Sequence, residues 1–249
     1  MTMLAIDIGN TNVVGAVFLD DNMHDSVRMP SDRNFWSSLA KLSQYSPEGI
    51  IISSVVPELS EIYEEACKNM FGITPEFVSV ENSGVTTIVD NPVEIGADRL
   101  CNIAATVDQY TLPAIVVDFG TATTYDVINE LGQFIGGAIA PGIDVSARYL
   151  FESASLLRDT ALTFPQNAIA LTTETNLQSG IMFGAVDEVQ GMIKRICDEL
   201  NRQNVKVILT GGFSTVIAPG LTVDHIINKE LTLRGMKLIY EKIRRNNHE

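Results

Sequence analysis

Positive charge is scarce in this chain. Its 249 residues carry 17 Lys+Arg against 31 Asp+Glu, a formal net charge of −14. Neutralising nucleic-acid phosphates needs clustered Lys and Arg, so a general nucleic-acid binder is excluded. The one basic cluster, Lys242 with Arg244 and Arg245, falls at the C-terminus and reads as a solvated helix end. Cysteine is also sparse. Cys67, Cys101 and Cys197 are far apart, odd in number and without CxxC or zinc spacing, so they read as buried small apolar residues in a reducing compartment. The three histidines, His24, His225 and His248, lie outside every motif and read as surface residues. No Ser-His-Asp order assembles near a glycine-flanked nucleophile, which argues against a hydrolase triad. No apolar run approaches the length of a membrane-spanning helix, and the N-terminus enters a strand pattern at once, without a basic region and a cleavable apolar stretch. A soluble cytoplasmic protein with neither nucleic-acid nor membrane partners is the expectation. GxxxxGK[ST] and strand–GxGxxG–helix are both missing, which argues against P-loop and Rossmann nucleotide sites.

What is present is globular: 45% hydrophobic and 19% charged residues. A short internal repeat organises the chain. The segment Met3-Leu4-Ala5-Ile6-Asp7-Ile8-Gly9-Asn10-Thr11-Asn12 is apolar and then Asp-x-Gly-polar-polar; Ala114-Ile115-Val116-Val117-Asp118-Phe119-Gly120-Thr121-Ala122-Thr123 repeats the pattern. Asp7 and Asp118 are 111 positions apart, close to half the chain. Apolar segments return after both, Val13–Phe18 and Tyr125–Ile128, so each copy predicts strand, tight turn, strand. The glycine allows close backbone approach or positive φ at the turn.

Two halves follow, 1–112 and 113–249, with Pro113 at the seam. The first predicts a helix near Phe35–Gln44, a buried strand Ile50–Val56, a helix Ser60–Phe71, a strand near Glu76–Val80 and a helix from Gly96 to Asp108. The second predicts a glycine-rich stretch Gly136–Gly142 followed by a helix, a long helix near Asn176–Asn201, a strand Lys206–Thr210 ending in Gly211-Gly212, and a last helix near Thr232–Arg245. Strands alternating with helices indicate an α/β protein with mixed sheets.

The paired turns carry the strongest chemical signal. Backbone N–H groups with small hydroxyl or amide side chains can hold phosphate oxygens, and a carboxylate at the strand end can hold a hydrated cation that bridges them. Asp7 with Asn10 and Thr11, and Asp118 with Thr121 and Thr123, supply that set twice. A single such turn would be an ordinary hairpin, where Asp and Gly are common; the duplication favours phosphate. The turn after Val207–Thr210, with Gly211-Gly212, can admit a flat nucleoside or be a plain strand-to-helix loop. In Asn91–Arg99, Asp98 can accept a proton from a substrate hydroxyl and Arg99 offers a planar fork for a carboxylate. The plain alternative is a first-turn helix carboxylate stabilised by the dipole beside a solvated Arg.

Taken together these stretches resemble the type III pantothenate kinases of the actin-like (ASKHA) superfamily. The resemblance runs through Ile6–Asn12, Ser53-Ser54-Val55-Val56-Pro57, Asn91–Arg99, Val117–Thr124, Gly136–Gly142, Gln178-Ser179-Gly180 and Leu209–Gly212, in order over nearly the whole chain. It implies two ribonuclease-H-like (actin-like ATPase) domains with mixed sheets and a nucleotide cleft between them. It implies transfer of the γ-phosphate of ATP to the hydroxyl of pantothenate, giving 4'-phosphopantothenate, the first step of coenzyme A biosynthesis. Asp98 matches the catalytic base, and Gly96, Ala97, Asp98 and Arg99 match the pantothenate-binding segment. Asp7, Ile8, Gly9, Asn10, Thr11, Asn12, Val13 and Val14 match the ATP phosphate loop, with Asp7 near Mg²⁺. Asp118 matches a ligand of a monovalent cation, K⁺ or NH₄⁺, and Thr121 an ATP contact. Thr173 matches a threonine that reaches pantothenate from the partner subunit of a homodimer. Arg99 matches either a clamp on the pantothenate carboxylate or a stabiliser of phosphate charge.

The chain departs from the common family pattern at Val89, where many members carry Tyr, at Ala170-Leu171-Thr172-Thr173, where many carry Gly-x-Asn-Thr, and at Leu156-Leu157-Arg158, which lacks a proline. These positions belong to the substrate and dimer sides. Two rival readings keep the fold: a kinase for another small hydroxyl compound such as a sugar, against which Gly96–Arg99 argues, and a regulatory accessory factor with weak catalysis, against which Asp7, Asp98 and Asp118 argue.

Overall fold

The computed structural model describes residues 1–31, 36–154 and 156–246. Phe35, the expected start of the first helix, and His248 lie outside them.

The first unit opens with an antiparallel meander, β1 (Thr2–Ile8), β2 (Asn12–Leu19) and β3 (Asn22–Pro30). Next come α1 (Trp36–Ser43), β4 (Gly49–Ser54), α2 (Pro57–Phe71), the two-residue strands β5 (Glu76–Phe77) and β6 (Thr86–Thr87) on either side of a short α3 (Val80–Ser83), and α4 (Ala97–Gln109). The sheet order is β3-β2-β1-β4-β5, with β4 and β5 parallel to β1. Residues alternate faces along a strand. Leu4, Ile6 and Ile8 of β1 therefore join Val13, Val17, Leu39, Leu59 and Tyr63 in one core, while Met3, Ala5 and Asp7 look the other way. Helix α2 begins at Pro57 in its first turn, where proline's fixed φ and missing N–H cost nothing, and stops at Gly72, whose φ is 68° and whose N–H caps the Lys68 carbonyl. The sequence pattern starts this helix at Ser60 because proline also reads as a breaker. The strand expected over Glu76–Val80 is cut to two residues because Ser79 and Asn82 form a capping box that turns the chain into α3.

The second unit repeats the plan with β7 (Ala114–Phe119), β8 (Ala122–Ile128), β9 (Gln133–Pro141), α5 (Ile143–Ser153), α6 (Thr173–Glu199), β10 (Lys206–Gly211), a one-turn α7 (Ser214–Ile217) and β11 (Ile226–Ile227). Its strands run β11-β10-β7-β8-β9, with β7, β8 and β9 antiparallel and β10 and β11 parallel to β7. Both units therefore place the other two strands of an antiparallel meander on one side of the first strand and two parallel strands on the other. The glycine-rich stretch Gly136–Gly142 is mostly strand β9. Gly137 is needed there because a Cβ would lie 1.7 Å from the Tyr125 carbonyl oxygen of β8. Helix α6 starts earlier than its apolar pattern suggests: the Thr172 hydroxyl accepts the Thr175 N–H and caps the first turn. Met182, Val186, Val189 and Ile193, one helical face, cover Ile115, Val117, Phe119, Val207 and Leu209 of the sheet. Each such side chain fully buried contributes about 1.5–3 kcal/mol.

The last helix, α8 (Leu231–Asn246), packs on α4 of the first unit. The compact units are accordingly Met1–Gln109 with Glu230–Glu249, and Tyr110–Lys229. Division at 112/113 assigns this helix to the second half, because a sequence pattern cannot see a chain returning to its starting unit. Gly235 permits the return: a Cβ there would lie 1.9 Å from the Cys101 carbonyl oxygen on α4. Leu231, Met236 and Ile239 complete the seam, all buried. Among the described residues no helix is long and apolar enough to cross a membrane.

Candidate active site

In the first unit the apolar alternation of β1 ends at Asp7, on the face shared with Met3 and Ala5. Register pairs it with Ser53 on β4, and the buried Ser53 hydroxyl donates to Asp7 Oδ1 at 2.9 Å. The loop after β1 is held from several sides. Gly9 N–H donates to the Asn12 carbonyl (3.0 Å), the Ser31 hydroxyl to the Gly9 carbonyl (2.6 Å), Ser31 N–H to the Thr11 carbonyl (3.0 Å), and Val55 N–H to the Ile8 carbonyl (3.1 Å). Ile8 and Val13 are buried, Gly9, Asn12 and Val14 half-buried, and Asn10 and Thr11 exposed at the tip. A fixed backbone presenting two exposed polar side chains beside a carboxylate is what a phosphate chain with a metal requires. Gly9 has no positive φ; its value is close approach, since a Cβ would lie 3.1 Å from the Asn12 carbonyl oxygen.

Gly96, Ala97, Asp98 and Arg99 form the entrance to α4. Ala97 is buried, and Asp98 and Arg99 are half-buried. Asp98 Oδ1 accepts the N–H of Arg99 at 2.8 Å. Its carboxyl folds back over Gly96, where a Cβ would come within 2.5 Å of Asp98 Oδ1. Burial, the largest influence, raises its pKa above the ordinary value of 3.8, against the opposing Arg99 N–H and guanidinium.

Cys101 lies one turn further along α4. Its thiol is fully buried and its pKa stands well above the ordinary value, first through burial and then through the charges of Asp7 and Asp98, while a hydrogen bond with Ser53 acts the other way. The sequence places Cys101 correctly as buried, but gives it no polar role. Ser53 is the residue that pattern reading passes over; its signal is a hydroxyl closing an otherwise apolar strand, Gly-Ile-Ile-Ile-Ser-Ser.

In the second unit Asp118 pairs in register with Thr210 on β10 and Thr124 on β8. The hairpin is one residue shorter than the first: Gly120 N–H donates to the Ala122 carbonyl at 3.0 Å, where Gly9 reached Asn12. Thr121 is exposed, Asp118 half-buried and Thr123 buried. The Gly211-Gly212 turn packs directly on this hairpin. Gly212 N–H donates to the Phe119 carbonyl (3.0 Å), and Gly211 adopts φ 83°, where a Cβ would lie 2.4 Å from Asp118 Oδ1 and 2.6 Å from Phe119 N and O. Gly142 closes the other side, its N–H on the Thr121 carbonyl at 3.0 Å. Thr173 is exposed in the first turn of α6, beside the exposed side chains of Ile169 and Leu171.

The donor set suits a metal brought in with phosphates rather than a protein cage. Among the described residues no three His, Cys, Asp or Glu side chains gather around one point. Mg²⁺ is commonly held by one or two carboxylates plus substrate phosphate oxygens, and Asp7 beside the fixed loop supplies such a carboxylate.

A family model described as Type III pantothenate kinase matches residues 3–195. A type III pantothenate kinase of Thermomicrobium roseum is 40% identical over 256 residues, spanning 98% of either chain. One from Halalkalibacterium halodurans is 38% identical over 252 residues, spanning 96% of this chain and 99% of its own. Among solved structures, a Campylobacter jejuni protein described as a Baf family transcriptional activator superposes with a TM-score of 0.63 at 23% identity, covering 97% of this chain and 99% of that one. The Clostridium difficile activator of 2-hydroxyisocaproyl-CoA dehydratase, with bound ADPNP, gives 0.56 at 11% identity over 100% and 98%. These two likenesses establish the fold, an α/β architecture of two mixed sheets.

Proposed function

The chain belongs to the type III pantothenate kinase family, a phosphotransferase family of coenzyme A biosynthesis, and on that premise we propose that Asp98 is the general base that takes the proton from the pantothenate hydroxyl during phosphoryl transfer from ATP. The observation that carries this is the Asp98 carboxyl seated over Gly96 at the entrance of α4, where burial raises its pKa. A raised carboxylate pKa moves a base toward the range where proton abstraction is effective.

The roles divide along the two sets of residues. Asp7 and the loop through Val14 hold the phosphate chain, with Asn10 and Thr11 at the exposed tip. Gly96, Ala97 and Arg99 bind pantothenate around Asp98, with Arg99 on the pantothenate carboxylate or on phosphate charge. Asp118 holds the monovalent cation and Thr121 contacts ATP. When bound, ATP with Mg²⁺ supplies the γ-phosphoryl group and the local positive potential that a protein at −14 does not provide. The enzyme acts as a homodimer in which Thr173 serves the pantothenate site of the other copy. Exposed apolar side chains at Ile169 and Leu171 beside Thr173 support a partner there.

An acceptor panel tests the assignment. Purified protein with ATP, Mg²⁺ and K⁺ is offered pantothenate, hexoses and short hydroxy acids, and phosphorylated products are read by ³¹P NMR. Selective formation of 4'-phosphopantothenate is the expected result. Preference for a sugar, or no product from any acceptor, overturns it.

A further inference from the structure

We propose that Ser53 is a positioning residue of the phosphate-transfer site: its buried hydroxyl orients the Asp7 carboxylate for the metal–nucleotide. This rests on the reading of Asp7 as the carboxylate beside the Mg²⁺ of ATP, and adds a residue that touches neither nucleotide nor acceptor.

The placement of Ser53 is costly unless the hydroxyl has work to do. The residue is buried in β4, after the apolar run Gly49-Ile50-Ile51-Ile52. A hydroxyl removed from water without a partner costs roughly 1–3 kcal/mol, and a small apolar residue would fill the same space. The hydroxyl is instead committed to Asp7 Oδ1 at 2.9 Å, across the parallel pairing of β1 and β4. It has one hydrogen. With that hydrogen on Asp7, Ser53 holds the carboxylate from the neighbouring strand. Such second partners fix the rotamer of a ligating carboxylate before the ligand arrives.

The second unit repeats the register independently. Asp118 stands in register with Thr210 on the parallel strand β10, and Thr210 is likewise buried. The two hairpins differ in length by a residue, yet both place a buried hydroxyl residue on the strand beside the carboxylate. That Thr fills this register in one unit indicates that a β-branched hydroxyl suits the position.

The test uses the full-length protein and Mn²⁺ as the metal probe, with a non-hydrolysable ATP analogue; bound Mn²⁺ is read by electron paramagnetic resonance. Ser53→Ala, Ser53→Thr and Asp7→Asn are compared with the parent, alongside thermal unfolding and the KM for pantothenate. Ser53→Ala is expected to weaken Mn²⁺ binding roughly tenfold, the low end of what losing an outer partner of a metal ligand costs, with the KM for pantothenate unchanged. Ser53→Thr is expected to restore it. Parent-like binding in Ser53→Ala, or a loss that Ser53→Thr fails to restore, overturns the proposal. Asp7→Asn separates the two layers. If it weakens binding while Ser53→Ala does not, only the role of Ser53 falls. If Asp7→Asn leaves Mn²⁺ binding intact, the reading of Asp7 falls, and that of Ser53 with it.

Discussion

Gly96 and Asp98 are packed so closely that a single methyl group on the first would stand 2.5 Å from Oδ1 of the second and 3.3 Å from a Val55 methyl. The carboxyl of Asp98 occupies the space that any larger residue at 96 would claim, so glycine here belongs to the placement of the base. Gly96→Ala is expected to push the carboxyl out of its seat with little loss of fold. A displacement of about 1 Å at a reacting group can lower turnover roughly 100-fold. Steady-state kinetics with an unfolding curve check this: a large fall in kcat at near-parent Tm is expected.

Gly211 carries a different constraint. Its φ of 83° and the 2.4 Å approach to Asp118 Oδ1 oppose any side chain on both counts. Gly211→Ala should destabilise by about 1–3 kcal/mol from backbone strain alone, lowering Tm by about 2–4 °C per kcal/mol. Thermal unfolding measures it. Gly212→Ala, whose Cβ would meet nothing nearer than 4.0 Å, serves as the mild control.

The raised pKa of Asp98 has consequences of opposite sign for stability and for catalysis. A carboxyl harder to ionise in the folded state binds more protons there than in the unfolded chain. Its contribution is therefore complete below the ordinary value of 3.8 and is lost as pH rises through the folded pKa. Asp98→Asn should raise Tm at neutral pH, and the difference should vanish on acidification below that ordinary value. The acid limb of kcat/KM for the parent should in turn lie above 3.8, because the base works ionised. Melting curves from below pH 3.8 up to pH 8 and rate profiles across pH 4–8 give both.

Asp118 leads to an expectation about salts. If its carboxylate helps hold a monovalent cation at the nucleotide, K⁺ and NH₄⁺ should support several-fold higher rates than Na⁺ at equal ionic strength. Asp118→Asn should flatten that preference. Initial rates in the three chlorides measure it.

Much of this was readable before any coordinates. The two Asp-x-Gly turns announced the duplicated hairpins because strand alternation and turn chemistry are local. The seven-residue β1 ends where the apolar pattern does, and α4 begins within a residue of its expected start. Boundaries slipped where two local signals compete, as with Pro57 opening α2 and Thr172 capping α6 ahead of its apolar face. The return of α8 to α4 and the meeting of Asp7, Ser53, Asp98 and Cys101 were not legible, because both depend on contacts between residues tens to more than a hundred positions apart. Of the two reasons a turn glycine offers, close approach holds at Gly9 and positive φ does not: Gly9 and Gly120 are not left-handed, whereas Gly211, on the neighbouring strand, is.

The most direct test of Asp98 as the base is a paired measurement on Asp98→Asn: the rate of 4'-phosphopantothenate formation and the affinity for ATP. Loss of a general base lowers the rate by roughly 10²–10⁴-fold, and the account predicts such a loss with ATP binding within a factor of about two of the parent, well under the tenfold that 1.4 kcal/mol represents. A variant that turns over at near-parent rate would contradict it.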